Sequence, residues 1–159
     1  MSLDVDISSA IQAIKTDIKS IFPVIERYSE IIEQGKTHLE LKNKRIDFAT
    51  IEQSSWLNYY DERRIELKKV LELVQILVDK KYGALWKHYT ENVSLDMSPK
   101  DKDHYIKTDE RYLIMKEVLL EVRELYEKAE ALVEAFKARG YSINNLTRLY
   151  TNNVNEIML

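Results

Sequence analysis

Apolar residues recur every three to four positions through most of the chain, which is the period of an amphipathic α-helix. The first such run spans residues 7–34 and is interrupted by Pro23. Because proline lacks an amide hydrogen and clashes with the preceding turn, this run predicts two helices, or one helix kinked at Pro23. Gly35 is expected to end the run, and the polar residues 36–49 are expected to form a linker.

A second and longer apolar stripe covers residues 56–89 and predicts a long helix. This helix should begin near Thr50, which together with Gln53 fits a capping box. No proline interrupts the sequence before Asn92, so at 1.5 Å per residue the helix should be roughly 60 Å long. Gly83 is its expected weak point, because glycine in a helix interior costs about 1 kcal/mol relative to alanine.

A short helix and a second long helix are predicted to follow. Ser98 and Pro99 are typical of a helix start, since proline is favourable at the first helical position. This short helix should reach about Lys107, and Thr108 or Asp109 should cap the next one. The next helix should end at Gly140, before a last short helix from about Ser142 to Val154.

The helix before Gly140 carries a heptad seam, in which apolar residues alternate at spacings of three and four. Two long striped helices with a short connection predict an all-α fold built on a long antiparallel hairpin with short flanking helices. Residues 1–35 would form an N-terminal helical segment, 36–49 the linker, and 50–159 the hairpin and oligomerisation core. One hairpin cannot cover all of these apolar side chains, so we expect a homo-oligomer held by Met115, Val118, Val122, Leu125, Leu132, Phe136, Leu146 and Leu149.

Composition argues against an enzyme and against a cofactor. The chain has no cysteine, and its three glycines and three histidines are scattered, which excludes thiolate chemistry and gives no phosphate loop or paired-histidine metal motif. We therefore expect no catalytic residue, no metal site and no cofactor. The N-terminus has no signal-peptide pattern, and no stretch approaches the about 20 apolar residues of a membrane helix, so a cytoplasmic location without membrane contact is expected.

Basic and aromatic residues alternate at the end of the long helix, although the chain as a whole has a net charge of -3. Residues 60–89 contain seven basic and five acidic residues. Single-strand binders combine cations for phosphates with rings for base stacking. The nucleic-acid candidates are therefore Lys80, Lys81, Tyr82, Trp86, Lys87 and His88, followed by Arg63, Arg64 and Lys68. The alternative is a solvated charged face beside core aromatic residues.

The order of these features resembles the UvsY family, the recombination mediator proteins of T-even-type bacteriophages. The resemblance covers residues 39–154. The chain departs from the family pattern in its first 35 residues, which form a longer segment than the family leads us to expect. It departs again near residues 83–85, because the cations of the family's basic segment are displaced here to Lys80, Lys81 and Lys87. The resemblance depends on an ordered set of short motifs: Trp56-Leu57-Asn58, Leu85 to Thr90, Leu95 to Ser98, Tyr105-Ile106, Asp109-Glu110, Arg139-Gly140-Tyr141 and Ile143-Asn144-Asn145.

The resemblance implies a function that helical periodicity does not. Members of this family form rings of about six or seven subunits, bind single-stranded DNA, and help a recombinase replace the single-strand-binding protein. It therefore implies a ring-like homo-oligomer, a hexamer or heptamer, acting in the cytoplasm of a bacterial host. The alternative is a helical structural or adaptor protein without a nucleic-acid role, and salt-sensitive binding of a labelled oligonucleotide would distinguish the two.

Overall fold

The computed structural model describes residues 6–42, 44–93 and 97–151. This part of the chain is helical and has no strand, which confirms the predicted all-α class. Leu95 and Asp96 of the connector, and the predicted helix end at Val154, lie outside the described residues. The helices are α1 (Ile7–Thr16), α2 (Phe22–His38), α3 (Ile46–Glu91), α4 (Pro99–Thr108) and α5 (Glu110–Thr151), with a 3₁₀ turn at Ile18–Ile21.

The chain divides into two compact units, to both of which the long helices α3 and α5 contribute. The first unit comprises residues 1–25 and 66–126, and the second comprises residues 26–65 and 127–159. Each of these units combines a part of the N-terminal segment with parts of α3 and α5. Hydrophobic pattern alone does not reveal which distant helix covers a given face.

The break in the N-terminal segment lies before Pro23. Helix α1 ends at Thr16, and the extended residue Asp17 caps both its end and the start of the 3₁₀ turn. The Asp17 carboxylate accepts a hydrogen bond from the Lys19 amide over 3.0 Å. Pro23 is the second residue of α2, where the first-turn amides have no helical partner and a missing one costs nothing. Of the two predicted arrangements, the structure has two helices.

Gly35 does not end α2, contrary to the prediction, because α2 continues to His38. Gly35 is buried in the second unit. A Cβ atom built on it would clash with Cδ2 of Leu132 and lie 3.0 Å from Cε1 of Tyr60. A glycine is therefore needed for close helix packing, not for a turn, and the predicted linker shortens to the residues between His38 and Ile46.

The predicted capping box at Thr50 and Gln53 is wrong, because α3 already begins at Ile46. Inside the helix, the Thr50 hydroxyl donates to the Ile46 carbonyl over 2.8 Å. Gln53 instead joins α3 to α5: its Nε2 donates to the Phe136 carbonyl over 2.6 Å, and its Oε1 accepts from Arg139 Nη1. Local sequence cannot distinguish a capping side chain from one that bonds a neighbouring helix.

The start of α4 and the cap of α5 agree with the predictions. The Ser98 hydroxyl accepts a hydrogen bond from the Asp101 amide over 3.2 Å, and Pro99 is the first residue of α4. At the start of α5, Asp109 accepts from the Arg111 amide over 2.9 Å. Both caps depend on residues within three positions of each other, and such local interactions can be predicted from the sequence.

Helix α5 does not end at Gly140, and Ser142 does not cap a new helix. The helix continues unbroken to Thr151, and the Ser142 hydroxyl donates to the Ala138 carbonyl over 3.2 Å. A Cβ atom on Gly140 would lie 3.0 Å from Nε2 of Gln53. The glycine again marks a close helix–helix approach, so the prediction of a turn at this position is wrong.

The heptad seam of α5 is buried within the chain itself. Phe136 stacks on Tyr60 of α3, with ring centroids 4.9 Å apart. The premise that this seam exceeds what one chain can cover is therefore wrong, because helices of the N-terminal segment also pack in both units. Leu146 and Leu149 differ, with exposed fractions of 40% and 39%. The seam residues that are buried are Met115, Val118, Val122, Leu125, Leu132 and Phe136.

Candidate nucleic-acid interface

Three lysines share the solvent side of α3 in the first unit. Lys69, Lys80 and Lys87 are exposed and follow one another at intervals of eleven and seven residues. At 100° per residue they lie within about 20° of one azimuth, spaced roughly 17 and 11 Å along the helix. The ion pair of Lys87 with Glu91 is long, at 3.9 Å, and both side chains are exposed. These residues, which we call the lysine face, form a linear positive array.

Glu91, the partner of Lys87, lies within about 40° of the same azimuth, whereas two other acidic residues of this segment point elsewhere. Glu72 and Asp79 lie roughly a quarter turn around α3 from the lysine face. Asp79 accepts a hydrogen bond from Gln75 over 3.0 Å. Within the described ranges, no carboxylate forms an ion pair with Lys69 or Lys80. Their charge is therefore available to an external anion.

Lys81 lies on another side of the helix, above an open groove of the first unit. It is half-buried, and Lys15 of α1 and Lys80 line the same groove. The sequence pattern indicated Lys80 and Lys81 but not Lys15, because no local signal relates residues 66 positions apart. Lys69 was also missed, although its spacing of eleven from Lys80 is a signal of a shared helix face.

The aromatic candidates Tyr82 and Trp86 lie beside each other and are half-buried, with ring centroids 6.1 Å apart. The Tyr82 hydroxyl donates to Asp103 of α4 over 2.7 Å, and its ring meets Tyr112 edge to face. Two turns after Tyr82, the Tyr89 hydroxyl donates to Asp109 over 3.0 Å. Tyrosines at the end of α3 thus hold α4 and the start of α5, while their partly exposed rings remain reachable from solvent.

These contacts shift the acidities of the groups involved. The hydrogen bond to the Asp103 carboxylate raises the pKa of Tyr82, and burial raises it further. Lys107, which forms an ion pair with Asp103 at 2.7 Å, lowers the pKa of that carboxyl, as does Tyr82. The Arg111 guanidinium lowers the pKa of Asp109 strongly. Each of these groups therefore keeps its usual charge near neutral pH.

The second set of basic candidates is not equally available. Arg63 is buried, with its guanidinium 5.1 Å from the centre of the Tyr59 ring and 3.6 Å from Glu62. Arg64 forms an ion pair with Asp61 at 2.8 Å. Both arginines belong to the second unit, whereas Lys68 belongs to the first and is exposed. Burial therefore makes Arg63 less accessible to a phosphate than the exposed Lys68.

The histidines do not form a metal site. His38 stacks on Trp56, with centroids 3.8 Å apart, and its Nδ1 lies 2.8 Å from the Tyr60 hydroxyl. His88 is exposed beside the lysine face, and its Nδ1 lies 3.2 Å from Nδ2 of Asn92. In the described ranges, no three metal-binding side chains come together.

No helix within the described residues is long and apolar enough to cross a membrane. Comparisons with protein-family models, with curated proteins and with solved structures find no match to this chain.

Proposed function

We propose that this chain binds single-stranded DNA without sequence preference and acts as a homo-oligomeric recombination mediator. In this role it presents the strand to a recombinase in place of a single-strand-binding protein. The proposal combines two supports of different kinds. The order of motifs resembles the phage mediator family, and the lysine face of α3 is an anion-binding surface of suitable charge and geometry.

The observation that carries the proposal is the alignment of Lys69, Lys80 and Lys87 on one solvated helix face. A nucleic-acid backbone is a regular array of anions, and lysines at intervals of roughly 11–17 Å can each meet a separate phosphate. Such contacts do not read bases, so binding would be independent of sequence. The small residues Gly83 and Ala84 lie between Lys80 and Lys87 on α3, and nothing lies within 4 Å of a Cβ built on Gly83. A strand can therefore approach the helix backbone closely.

Oligomerisation would repeat the lysine face in every subunit and so strengthen its weak binding of the strand. One subunit offers few phosphate contacts, and a linked array of subunits raises the overall affinity without any new contact. The exposed apolar side chains at the end of α5, from Tyr141 to Tyr150, are available for subunit contacts. The number of subunits in the proposed ring, six or seven, comes from the resemblance.

The test is a titration of a fluorescent oligothymidylate against the protein at several salt concentrations. Each lost phosphate contact should reduce the slope of log K against log salt by about 0.7 for a single strand. The triple variant Lys69→Ala, Lys80→Ala, Lys87→Ala should therefore lose about two units of slope per subunit engaged. Circular dichroism should show unchanged helix content, because all three side chains are exposed.

The control is a triple variant with the same loss of charge in the second unit. Lys36 and Lys137 form ion pairs with Glu33 and Glu134, and Lys128 also has an interaction partner. Replacing these three by alanine should leave the slope near the wild-type value. Equal slopes for both triple variants would contradict the assignment of the lysine face, and absence of any DNA binding by the wild type would favour the adaptor alternative.

The mediator step needs its own measurement. A recombinase assembling on a strand covered by single-strand-binding protein should show a shorter lag when this protein is added. The lysine-face variant should lengthen that lag towards its value without mediator. A wild-type protein that binds the strand but leaves the lag unchanged would restrict the function to DNA binding.

A further inference from the structure

An open groove of about 340 Å³ in the first unit has an apolar floor and a basic rim. Ile18, Leu77 and Met115 belong to the floor, and Met115 is buried. The rim carries Lys15, Lys80 and Lys81. The groove therefore joins α1, which the sequence left without a role, to the lysine face of α3.

The chemistry of this groove differs from that of two other hollows, both in the second unit. The residues lining it include three lysines and no carboxylate. A hollow beside Trp56 and Tyr59 includes Glu52, whose charge would repel a phosphate. A hollow between α2 and α5 includes Lys36 and Lys128, but Lys36 forms an ion pair with Glu33 at 2.5 Å. Of these three hollows, the groove of the first unit is the one that combines apolar side chains with lysines that have no ion pair among the described residues.

This combination fits a nucleotide better than it fits a peptide or a simple anion. A volume of about 340 Å³ is at the lower end of the range for small-ligand sites, which is suitable for one ring system. Apolar side chains favour the face of an unstacked base, since bases bind protein surfaces largely through their flat faces. The lysines at the rim are placed to meet the phosphates on either side of that base.

We infer that the groove receives one unstacked base of a bound single strand, with its flanking phosphates on Lys15, Lys80 and Lys81. This inference rests on the proposed function and extends the DNA site from α3 onto α1. Single strands are preferred over duplexes in this arrangement, because a paired and stacked base cannot enter the groove. Phosphate contacts along the lysine face and base insertion in the groove are then separate contributions to affinity.

Two oligonucleotides separate these contributions: an oligothymidylate and a fully abasic strand of the same length. The wild type should bind the thymidylate roughly tenfold more tightly, since stacking a base is favourable. Ala84→Leu places a larger side chain in the groove and should abolish most of this preference. The matched control is Ala131→Leu, an equally exposed alanine lining the hollow between α2 and α5, which should keep it.

A charge variant tests α1 independently of groove filling. Lys15→Ala should reduce the salt slope by about 0.7, whereas Lys19→Ala, one turn further on and outside the groove, should not. If Ala84→Leu keeps the full preference for bases, or if Lys15→Ala and Lys19→Ala behave alike, the groove is not the base site. A wild type that binds both strands equally overturns the inference while the proposed function stands. A wild type that binds neither strand overturns the proposed function itself.

Discussion

The hydroxyl of Tyr82 donates a hydrogen bond to Oδ1 of Asp103 over 2.7 Å and thereby joins α3 to α4. The Tyr82 ring also contacts Tyr112 of α5, with centroids 5.9 Å apart. A residue that the sequence places among the base-stacking candidates thus has a structural role of its own. The two roles use different parts of the side chain, because the hydroxyl holds α4 and only the ring could stack.

Tyr82→Phe should separate these roles, because it removes the hydroxyl and keeps the ring. We expect the free energy of unfolding to fall by about 1 kcal/mol, the typical contribution of one hydrogen bond. Affinity for oligothymidylate should stay at the wild-type value. Urea unfolding followed by circular dichroism, together with a binding titration, measures both quantities. Reduced binding at unchanged stability would show that the hydroxyl itself contacts the strand.

Gly35→Ala and Gly83→Ala should change stability in opposite directions. At Gly35 the new methyl group clashes with Leu132 and meets Tyr60, whose ring is packed on Phe136, so overpacking should cost about 1–3 kcal/mol. At Gly83 nothing lies within 4 Å, and the better helix propensity of alanine should stabilise by roughly 0.5–1 kcal/mol. Unfolding measurements on both variants at one protein concentration give the change in the free energy of unfolding that each substitution causes. Stabilisation by Gly35→Ala would show that α2 does not pack as closely as described.

His38 should make stability depend on pH in the mildly acidic range. Burial lowers its pKa below the ordinary value of 6.5, and the charge of Lys44 lowers it further. The unfolded chain therefore takes up a proton first as pH falls, and stability present above pH 6.5 is lost below it. The free energy of unfolding should thus decrease between neutral pH and the folded-state pKa of His38.

His38→Phe keeps a ring on Trp56 without a titrating group, so its unfolding free energy should vary less with pH over this range. His88→Phe is the matched control, because it makes the same substitution at an exposed histidine of the first unit. Unfolding curves collected between acidic and neutral pH measure how the unfolding free energy of each variant depends on pH. The same pH dependence in His38→Phe as in the wild type would assign the effect to other groups.

Leu149→Asp should weaken self-association without unfolding the chain. Leu149 is 39% exposed near the end of α5, so a charge there faces solvent in the isolated chain but lies in a subunit contact if this surface associates. Light scattering should report a smaller mass at unchanged helix content. Leu125→Asp differs, since Leu125 is buried within the chain and its replacement should cost several kcal/mol of folding stability. An unchanged mass for Leu149→Asp would place any subunit contact elsewhere.

Local sequence was sufficient for the helical class, for the start of α4 at Pro99 and for the cap of α5 at Asp109. It also placed the seam residues from Met115 to Phe136 on one helix face, which is buried, because the spacing of apolar positions selects one face. Lys80 and Lys87 could be placed on the exposed side of α3 from the same periodicity. All of these features depend on residues within a few turns of one another.

Tertiary structure alone decided what covers each buried face. The seam of α5 packs within its own chain, and Gly35 and Gly140 continue their helices instead of ending them. A glycine satisfies either a turn or a close helix contact, and the sequence does not distinguish the two until the neighbouring helix is known. For the same reason the groove joining Lys15 to Lys81 was not predictable: periodicity defines the direction in which a side chain points, but not the distant residue that it meets.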